Sequence, residues 1–436
     1  MAARRAVCQA FLSLDNDMCN TQDPADAHML CPQCDMLVAL PRLAWGMKSV
    51  CPRCGTTLAM RWRHPHLQPT LYALSALFLL LVANLFSFVT MSVAGLSNAI
   101  TLLQIPGMLM DEDYASIATL FMIFVQLIPA FCMVVIILLC LRVPLPHALR
   151  VGLARILLQC RAWCMVEIFL AGVLVSFVKL MAYGDVGVGS SFWAYCLFCL
   201  LQVRAFQMID RRLLWDDIAA QPACAVPYHS GESGLRQGVR SCACCTAILP
   251  QSQQQCPRCL TTGYARRRNS LQWTLALLAT ALMLYIPANV LPIMVTQALG
   301  SKLTSTIMAG VILLWGEGSY PVAMVIFIAS IMVPSLKILA IAWLCWSTRR
   351  GVRRDSERMH TIYEIVEFVG RWSMIDVFVI AVLSSLVSMG QLMSIYPDVG
   401  AILFAAVVIL TMIAAMVFDP RLLWDRESEL TTGEQE

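Results

Sequence analysis

Long, nearly uncharged apolar runs constrain this chain more than any other feature. Several reach eighteen residues or more, beginning with LYALSALFLLLVANLFSFVTM at 71–91. Twenty-one helical residues rise about 31 Å, enough to cross the hydrocarbon core of a bilayer. Further candidate spans lie at 115–141, 163–183, 191–209, 273–296, 320–347, 372–392 and 398–418. Of 436 residues, 59% are hydrophobic and only 13% charged, which excludes the two or three soluble domains that length alone would permit.

The arginines orient these spans. Arg142, Arg150, Arg155 and Arg161 lie between the second and third, and Arg349, Arg350, Arg353, Arg354 and Arg358 between the sixth and seventh. The polar central segment carries Arg211, Arg212, Arg236, Arg240, Arg258 and Arg266 to Arg268. The alternate loops have no arginine and hold Asp111, Glu112, Asp113, Asp185, Lys302, Glu317 and Asp398. Eight spans with both termini in the cytosol satisfy the positive-inside rule at every loop. No cysteine falls in an external loop, which fits reduced thiols.

Eight of the nineteen cysteines form four C-x-x-C pairs. Cys31 and Cys34 pair with Cys51 and Cys54; Cys242 and Cys245 pair with Cys256 and Cys259. One such turn points two thiolates at one ion, and two turns complete a tetrahedral S₄ site. That chemistry suits zinc, two ions in all, and iron fits the same geometry. Cys244 competes for a place in the second quartet, and the spacing leaves it spare. A segment this small cannot bury a core, so metal would supply its folding energy. A redox dithiol is the rival reading of a single C-x-x-C. No P-loop is present, and nothing in the motifs points to an enzyme.

The chain reads as one unit written twice. Cys54 precedes Asn84 by thirty positions, and Cys259 precedes Asn289 by thirty. Asn84 and Asn289, and Pro129 and Pro334, are offset by 205. Trp163, Met165, Glu167 and Phe169 match Trp372, Met374, Asp376 and Phe378 at 209. DRRLLWDD (Asp210–Asp217) matches DPRLLWDR (Asp419–Arg426). The expected organisation is an extension at 1–27, a metal module at 28–60, a membrane block at 71–217, a second module at 236–268, a second block at 271–425 and an acidic tail at 426–436. Four spans per block make the two blocks parallel repeats of an all-α polytopic membrane protein.

Ionisable residues inside spans are site candidates by default. Glu167, Asp376 and Lys179 lie near span ends, where snorkelling is the competing reading. Lys337 is deeper, about ten residues or roughly 15 Å from the cytosolic end of its span. Pro334 removes a backbone donor and is expected to free a carbonyl near Ser330. An ammonium beside free carbonyls and Ser335 would suit an anion or a lipid headgroup. The first block has Cys132 in place of Lys337, so the blocks differ in chemistry. Asn289, like Asn84, interrupts a span and reads either as part of a binding site or as a kink satisfied by a neighbour.

CPQCDMLVALP, CPRCG, ANLFSF, VEIFLAGVLVSFVKLMAYG, DRRLLWDD, RRRNSLQWTLALL, IPANVLPIMV, VPSLK, GRWSMIDVFVI and DPRLLWD together resemble the paraquat-inducible protein A family of Gram-negative inner-membrane proteins. The resemblance runs from about Met29 to Arg426. It implies zinc-ribbon, rubredoxin-like modules on the cysteine quartets. It implies a role beside a membrane-anchored tunnel protein with MCE domains and an outer-membrane lipoprotein, moving phospholipid between the two membranes and protecting the envelope. It places candidate lipid-pathway residues in the second block, with Lys337 and Lys179 at matching positions. Nucleic acid is not an expected partner. The competing expectation is a membrane redox or metal-sensing protein acting through its thiols.

Overall fold

The structure, a computed structural model, describes residues 27–93, 96–111, 114–180, 185–298, 301–316, 318, 320–350, 356–386 and 393–425. The expected extension, except for its last residue, and the acidic tail lie outside those residues.

The first metal module folds as two small antiparallel hairpins, β1 (His28–Leu30) with β2 (Leu37–Ala39) and β3 (Lys48–Val50) with β4 (Thr57–Met60). A membrane block follows. It opens with α1 (Leu67–Leu85) and the strands β5 (Val89–Val93) and β6 (Leu96–Ile100). Next come α2 (Gln104–Asp111), α3 (Ala115–Phe121), a π segment (Met122–Leu127) and α4 (Ile128–Cys140). It closes with α5 (His147–Cys160), α6 (Val166–Leu180), β7 (Asp185–Val188), α7 (Ser190–Met208) and α8 (Arg211–Ile218).

The second module holds β8 (Val239–Ser241) and β9 (Ile248–Pro250). Its block opens with α9 (Ser270–Val290), β10 (Met294–Ala298) and β11 (Ser301–Ser305). Then come α10 (Ile307–Gly316), α11 (Tyr320–Phe327), a π segment (Ile328–Met332) and α12 (Val333–Arg350). The block ends with α13 (Ser356–Trp372), α14 (Ile375–Leu386), β12 (Met393–Pro397) and α15 (Val399–Val417).

Among the described residues, six helical runs are long and apolar enough to cross a membrane, or seven if α7 and α8, bent by 66°, count as one span. Eight were expected. The third expected span merges with the helix before it into a run from His147 to Phe177. The seventh, 372–392, is described only as the twelve-residue α14, and 387–392 lie outside the described residues.

The all-α expectation needs a correction. Two three-stranded antiparallel sheets, β6-β5-β7 and β11-β10-β12, cap the ends of the spans away from the arginines. Residues 89–91 and 294–296, read from sequence as ends of spans, are strands. Hydropathy does not register this change, because apolar residues serve a helix and a strand equally well. The chain leaves α1 at Phe86 in extended conformation and α9 at Leu291 likewise, with Pro292 unable to continue the helix.

Both prolines of the 205 offset sit just beyond a π segment: Pro129 follows Met122–Leu127, and Pro334 follows Ile328–Met332. Proline lacks the N–H that its helix would donate, and the wider turn relieves the clash with the preceding carbonyls. In the second block Ser335 Oγ bonds Ile331 O at 2.7 Å, and Tyr285 OH reaches the same carbonyl at 3.2 Å. The Ile331 carbonyl of this turn is therefore taken by two hydroxyls, one from α12 itself and one from α9, not left open to Lys337.

Candidate functional site

Four cysteines in each module converge. The sulfurs of Cys31, Cys34, Cys51 and Cys54 all lie within 4.8 Å of one another, and so do those of Cys242, Cys245, Cys256 and Cys259. Individual contacts are 3.5 Å for Cys31–Cys54 and for Cys34–Cys51, and 3.4 Å for Cys242–Cys259. Metal–sulfur bonds of about 2.3 Å in a tetrahedron need sulfurs about 3.8 Å apart, so both quartets fit one ion each. Each C-x-x-C turn ends on a residue with positive φ: Asp35, Gly55, Thr246 and Leu260. Only Gly55 adopts this conformation without strain.

Contacts among the thiols spread their proton affinities. Hydrogen bonds led by Cys31 drive Cys54 far below the ordinary thiol range, and those led by Cys242 do the same to Cys259. Cys34 and Cys245 are pushed far above it, again chiefly by Cys31 and Cys242. Four crowded thiols cannot all ionise unless a cation joins them, which is the behaviour expected of an S₄ metal site. Cys244 lies outside the quartet, as its spacing implied.

The modules are not seated on the blocks that follow them. The first packs its Met29, Leu58 and cysteine quartet against Ile341, Leu344, Met359, Tyr363, Phe418 and Trp424 of the second block. Arg53, inside its CPRC turn, lies over the Trp424 ring at 4.6 Å. Arg421 donates to Pro32 O at 3.1 Å. One edge also reaches the first block, where Met60 N donates to Asp210 at 3.4 Å. The second module shares a core with Leu157, Trp215 and Ile218 of the first block. Arg258, also inside a CPRC turn, pairs with Asp216 at 2.5 Å and donates to Ala219 O at 2.9 Å. The RLLWD segments therefore serve as seats. Each buries its tryptophan against a metal module and receives the arginine of that module's second C-x-x-C turn.

Between the modules runs a charge clamp. Arg266 reaches Asp35 at 2.9 Å and Asp425 at 2.5 Å, joining the first module, the segment that leaves the second, and the end of the second block. Burial pushes the Asp35 carboxyl up, and the Arg266 guanidinium pulls it back. For Arg266, burial works against its charge, and Asp425 and Asp35 outweigh it. Asp35 also accepts from Leu235 N at 3.1 Å.

A cavity of about 440 Å³ lies between the two blocks, toward the arginine-rich ends of the spans. Arg161, Cys164, Glu167, Gln202 and Phe206 line it from the first block. Lys337, Glu367, Gly370, Arg371, Met412 and Met416 line it from the second. Lys337 is 3% exposed, and its Nζ donates to Gly370 O at 3.3 Å. A Cβ on Gly370 would come within 2.8 Å of Lys337 Cε, so the glycine makes room for the lysine. Charged groups, of which Lys337 is buried, beside long apolar side chains suit a ligand with a charged end and an oily one.

Of the sequence candidates, Lys337 and Glu167 meet in this cavity. Lys179 and Asp376 lie on α6 and α14, but their side chains fall outside the described residues. Ser330, Pro334, Ser335 and Asn289 do not line it. Ser335 bonds Tyr285 OH at 2.9 Å across the α9–α12 contact, and Asn289 Nδ2 donates to Tyr285 O at 2.8 Å within α9 itself. Glu367, Gly370, Arg371 and Arg161 were missed as site residues. In sequence Arg161 speaks only to orientation, and no spacing rule joins the turn just past α5 to α13.

The comparisons agree with this architecture. The profile of the paraquat-inducible protein A family matches the chain twice, at 67–219 and 271–428, once per block. The chain is 68% identical to Intermembrane transport protein PqiA of Escherichia coli K12 over 405 residues, 93% of this chain and 97% of the relative. It is 28% identical to Lipophilic envelope-spanning tunnel protein A of the same organism, over 92% of each chain. Probable intermembrane transport protein of Haemophilus influenzae is also 28% identical, over 91% of this chain and 96% of the relative. No solved structure matches. With both blocks matched and nearly the full length aligned, this multi-pass membrane protein belongs to the paraquat-inducible protein A family.

Proposed function

We propose that this chain is the inner-membrane subunit of an intermembrane lipid transport system, loading or receiving phospholipid at the cavity between its two blocks. One observation carries the reading. Lys337, Arg161 and Arg371 outnumber the carboxylates Glu167 and Glu367 in a space also walled by the apolar Phe206, Val366, Met412 and Met416. Cations suit a phosphate headgroup, and the apolar walls suit acyl chains. The names of the relatives at 68% and 28% identity speak of transport between membranes and of an envelope-spanning tunnel. An MCE-domain tunnel protein and an outer-membrane lipoprotein are the partners this reading assigns. Both termini and both modules then lie in the cytosol, each module holding zinc as a structural clip. The matching succession of elements in the two blocks supports reading them as parallel repeats.

The test replaces Val366, a cavity-lining residue, with a photoreactive amino acid in cells. Crosslinked phospholipid at 366, lost on Lys337→Met with the protein still in the membrane, is the expected result. Equal crosslinking with and without Lys337 would remove the cavity from the pathway.

A further inference from the structure

The two metal modules differ in one loop. Sixteen residues separate the two C-x-x-C turns of the first module, and ten those of the second. The surplus falls after the first of each module's paired strands. Eleven residues run from β2 to Cys51, against five from β9 to Cys256. The short loop reads QSQQQ, without a charge or an aromatic ring. The long one reads LPRLAWGMKSV and carries both.

The tip of the long loop faces outward. Met47 N donates to Ala44 O at 3.1 Å and closes a turn in which Gly46 takes φ 77°, a conformation that suits glycine. Trp45 is 53% exposed, and Met47 and Val50 are exposed beside it. The Arg61 guanidinium lies 5.6 Å from the centre of the Trp45 ring. Arg42 and Lys48 are exposed too, and neither enters an ion pair among the described residues. Clustered exposed apolar side chains ringed by cations mark an interaction surface.

Backbone bonds hold this tip where the chain enters the bilayer. Gly46 N donates to Arg61 O at 2.8 Å, Arg61 N to Met47 O at 3.1 Å, and Arg61 Nη1 to Leu43 O at 2.9 Å. Arg61 stands six residues before Leu67, which opens α1 with an exposed apolar side chain. At the base of the loop, Arg42 and Leu43 share a small cavity with Asp210, Arg212 and Leu213, just past the end of α7. Both attachments lie at arginine-rich ends of spans, the level of the lipid headgroups.

We infer that the 40–50 loop of the first module docks on the bilayer surface: Trp45 and Met47 enter the headgroup region, and Arg42, Lys48 and Arg61 take anionic phospholipid headgroups of the leaflet at the arginine-rich ends. Tryptophan favours that level because its ring is apolar with one polar edge. Basic residues add the attraction of an anionic leaflet. The bilayer is already the neighbour of this patch, and a protein partner would have to displace it. The docking is one-sided, since the QSQQQ loop offers neither anchor nor charge.

The full-length protein receives a photoreactive amino acid at position 45, or at Ser252 in the short loop. It is reconstituted in nanodiscs of phosphatidylcholine alone or with phosphatidylglycerol added. Mass spectrometry is expected to find phospholipid attached at 45 and none at 252, in a yield that rises with phosphatidylglycerol. Arg42→Gln and Lys48→Gln should each lower that rise by up to about fivefold. Metal content checks that the module stays folded. Brominated lipid gives a second reading, expected to quench wild-type fluorescence more than that of Trp45→Phe. No lipid at 45, equal yields at 45 and 252, a yield indifferent to phosphatidylglycerol and to both charge changes, or equal quenching would each overturn the docking. So would a protein in place of lipid at 45 when the same variant is irradiated in cells.

Discussion

Replacing Arg266 with alanine is the sharpest probe of how the modules are held. The guanidinium makes two bonds to Asp425, at 2.5 and 2.7 Å, and one to Asp35 at 2.9 Å. Its side chain is 14% exposed, and that of Asp35 only 2%. Losing one partner of a buried pair typically costs about 3–5 kcal/mol, since the surviving charge is left without compensation. Asp35 would keep Leu235 N and Ser233 Oγ, and Asp425 at 18% exposed can turn toward water. Those reliefs favour the lower part of the range, about 3–4 kcal/mol, or roughly a 10²–10³-fold rise in undocked first module. Asp35→Asn keeps an acceptor and leaves Arg266 paired with Asp425, so about 1–2 kcal/mol is expected. The two residues touch, and the double variant should fall short of the sum by about 0.5–3 kcal/mol. Native-state trypsin cleavage at Arg61 and Arg63, in the linker behind the first module, reads the undocked population when closing outpaces cutting. Zinc content is measured alongside, to separate undocking from unfolding. An Arg266→Ala protein cleaved at the wild-type rate, or a strictly additive double variant, would refute the clamp.

Three further outcomes follow from the same geometry. Lys337 is buried without a carboxylate partner among the described residues, so Lys337→Met should leave thermal stability unchanged or raise it by about 1–4 kcal/mol while lipid crosslinking at 366 disappears; a destabilised Lys337→Met would mean that the lysine serves the fold. Gly370→Ala should expel the lysine's end from its place at modest cost, about 1–3 kcal/mol, and mimic the crosslinking loss of Lys337→Met; wild-type crosslinking would show that the lysine has other room. Cys245→Ser should lose one of two bound metal ions by elemental analysis, while Cys244→Ser keeps both; loss of an ion from Cys244→Ser would reassign the second quartet.

Lys337 shows how far the sequence reaches. It stood out because a charge deep in an apolar run has few bland explanations. Its expected surroundings were different. Pro334 does disturb the helix, but the proline is followed one residue later by Ser335, whose hydroxyl with that of Tyr285 takes the Ile331 carbonyl. Lys337 lies two residues beyond Ser335, so it turns to another neighbour and meets α13 instead. Gly370, Glu367 and Arg371 carry no sequence signal for this role, because an amphipathic helix following an arginine-rich loop looks like an interfacial helix.

The RLLWD segments give a second case. Their repetition was visible, and it was used only to align the two halves. Their role as seats depends on which module reaches which block, and taking each module with the block that follows it suggests the wrong partner in both cases.

What the sequence alone determined is what short-range physics writes into it. Apolar runs longer than a bilayer demand spans, arginine placement demands an orientation, C-x-x-C turns bring thiols together, and a shared offset betrays duplication. The spans and the C-x-x-C turns are set by residues within a span or a turn of one another, and the orientation and the duplication are read by comparing loops and halves along the chain. The tertiary structure alone decided the crossed seating of the modules, the Arg266 clamp between Asp35 and Asp425, and the cavity that gathers Lys337, Glu167, Glu367 and Arg371. Those pairings join residues up to 389 positions apart, as between Arg421 and Pro32. They are chosen by which buried faces and charges complement each other once the spans have packed.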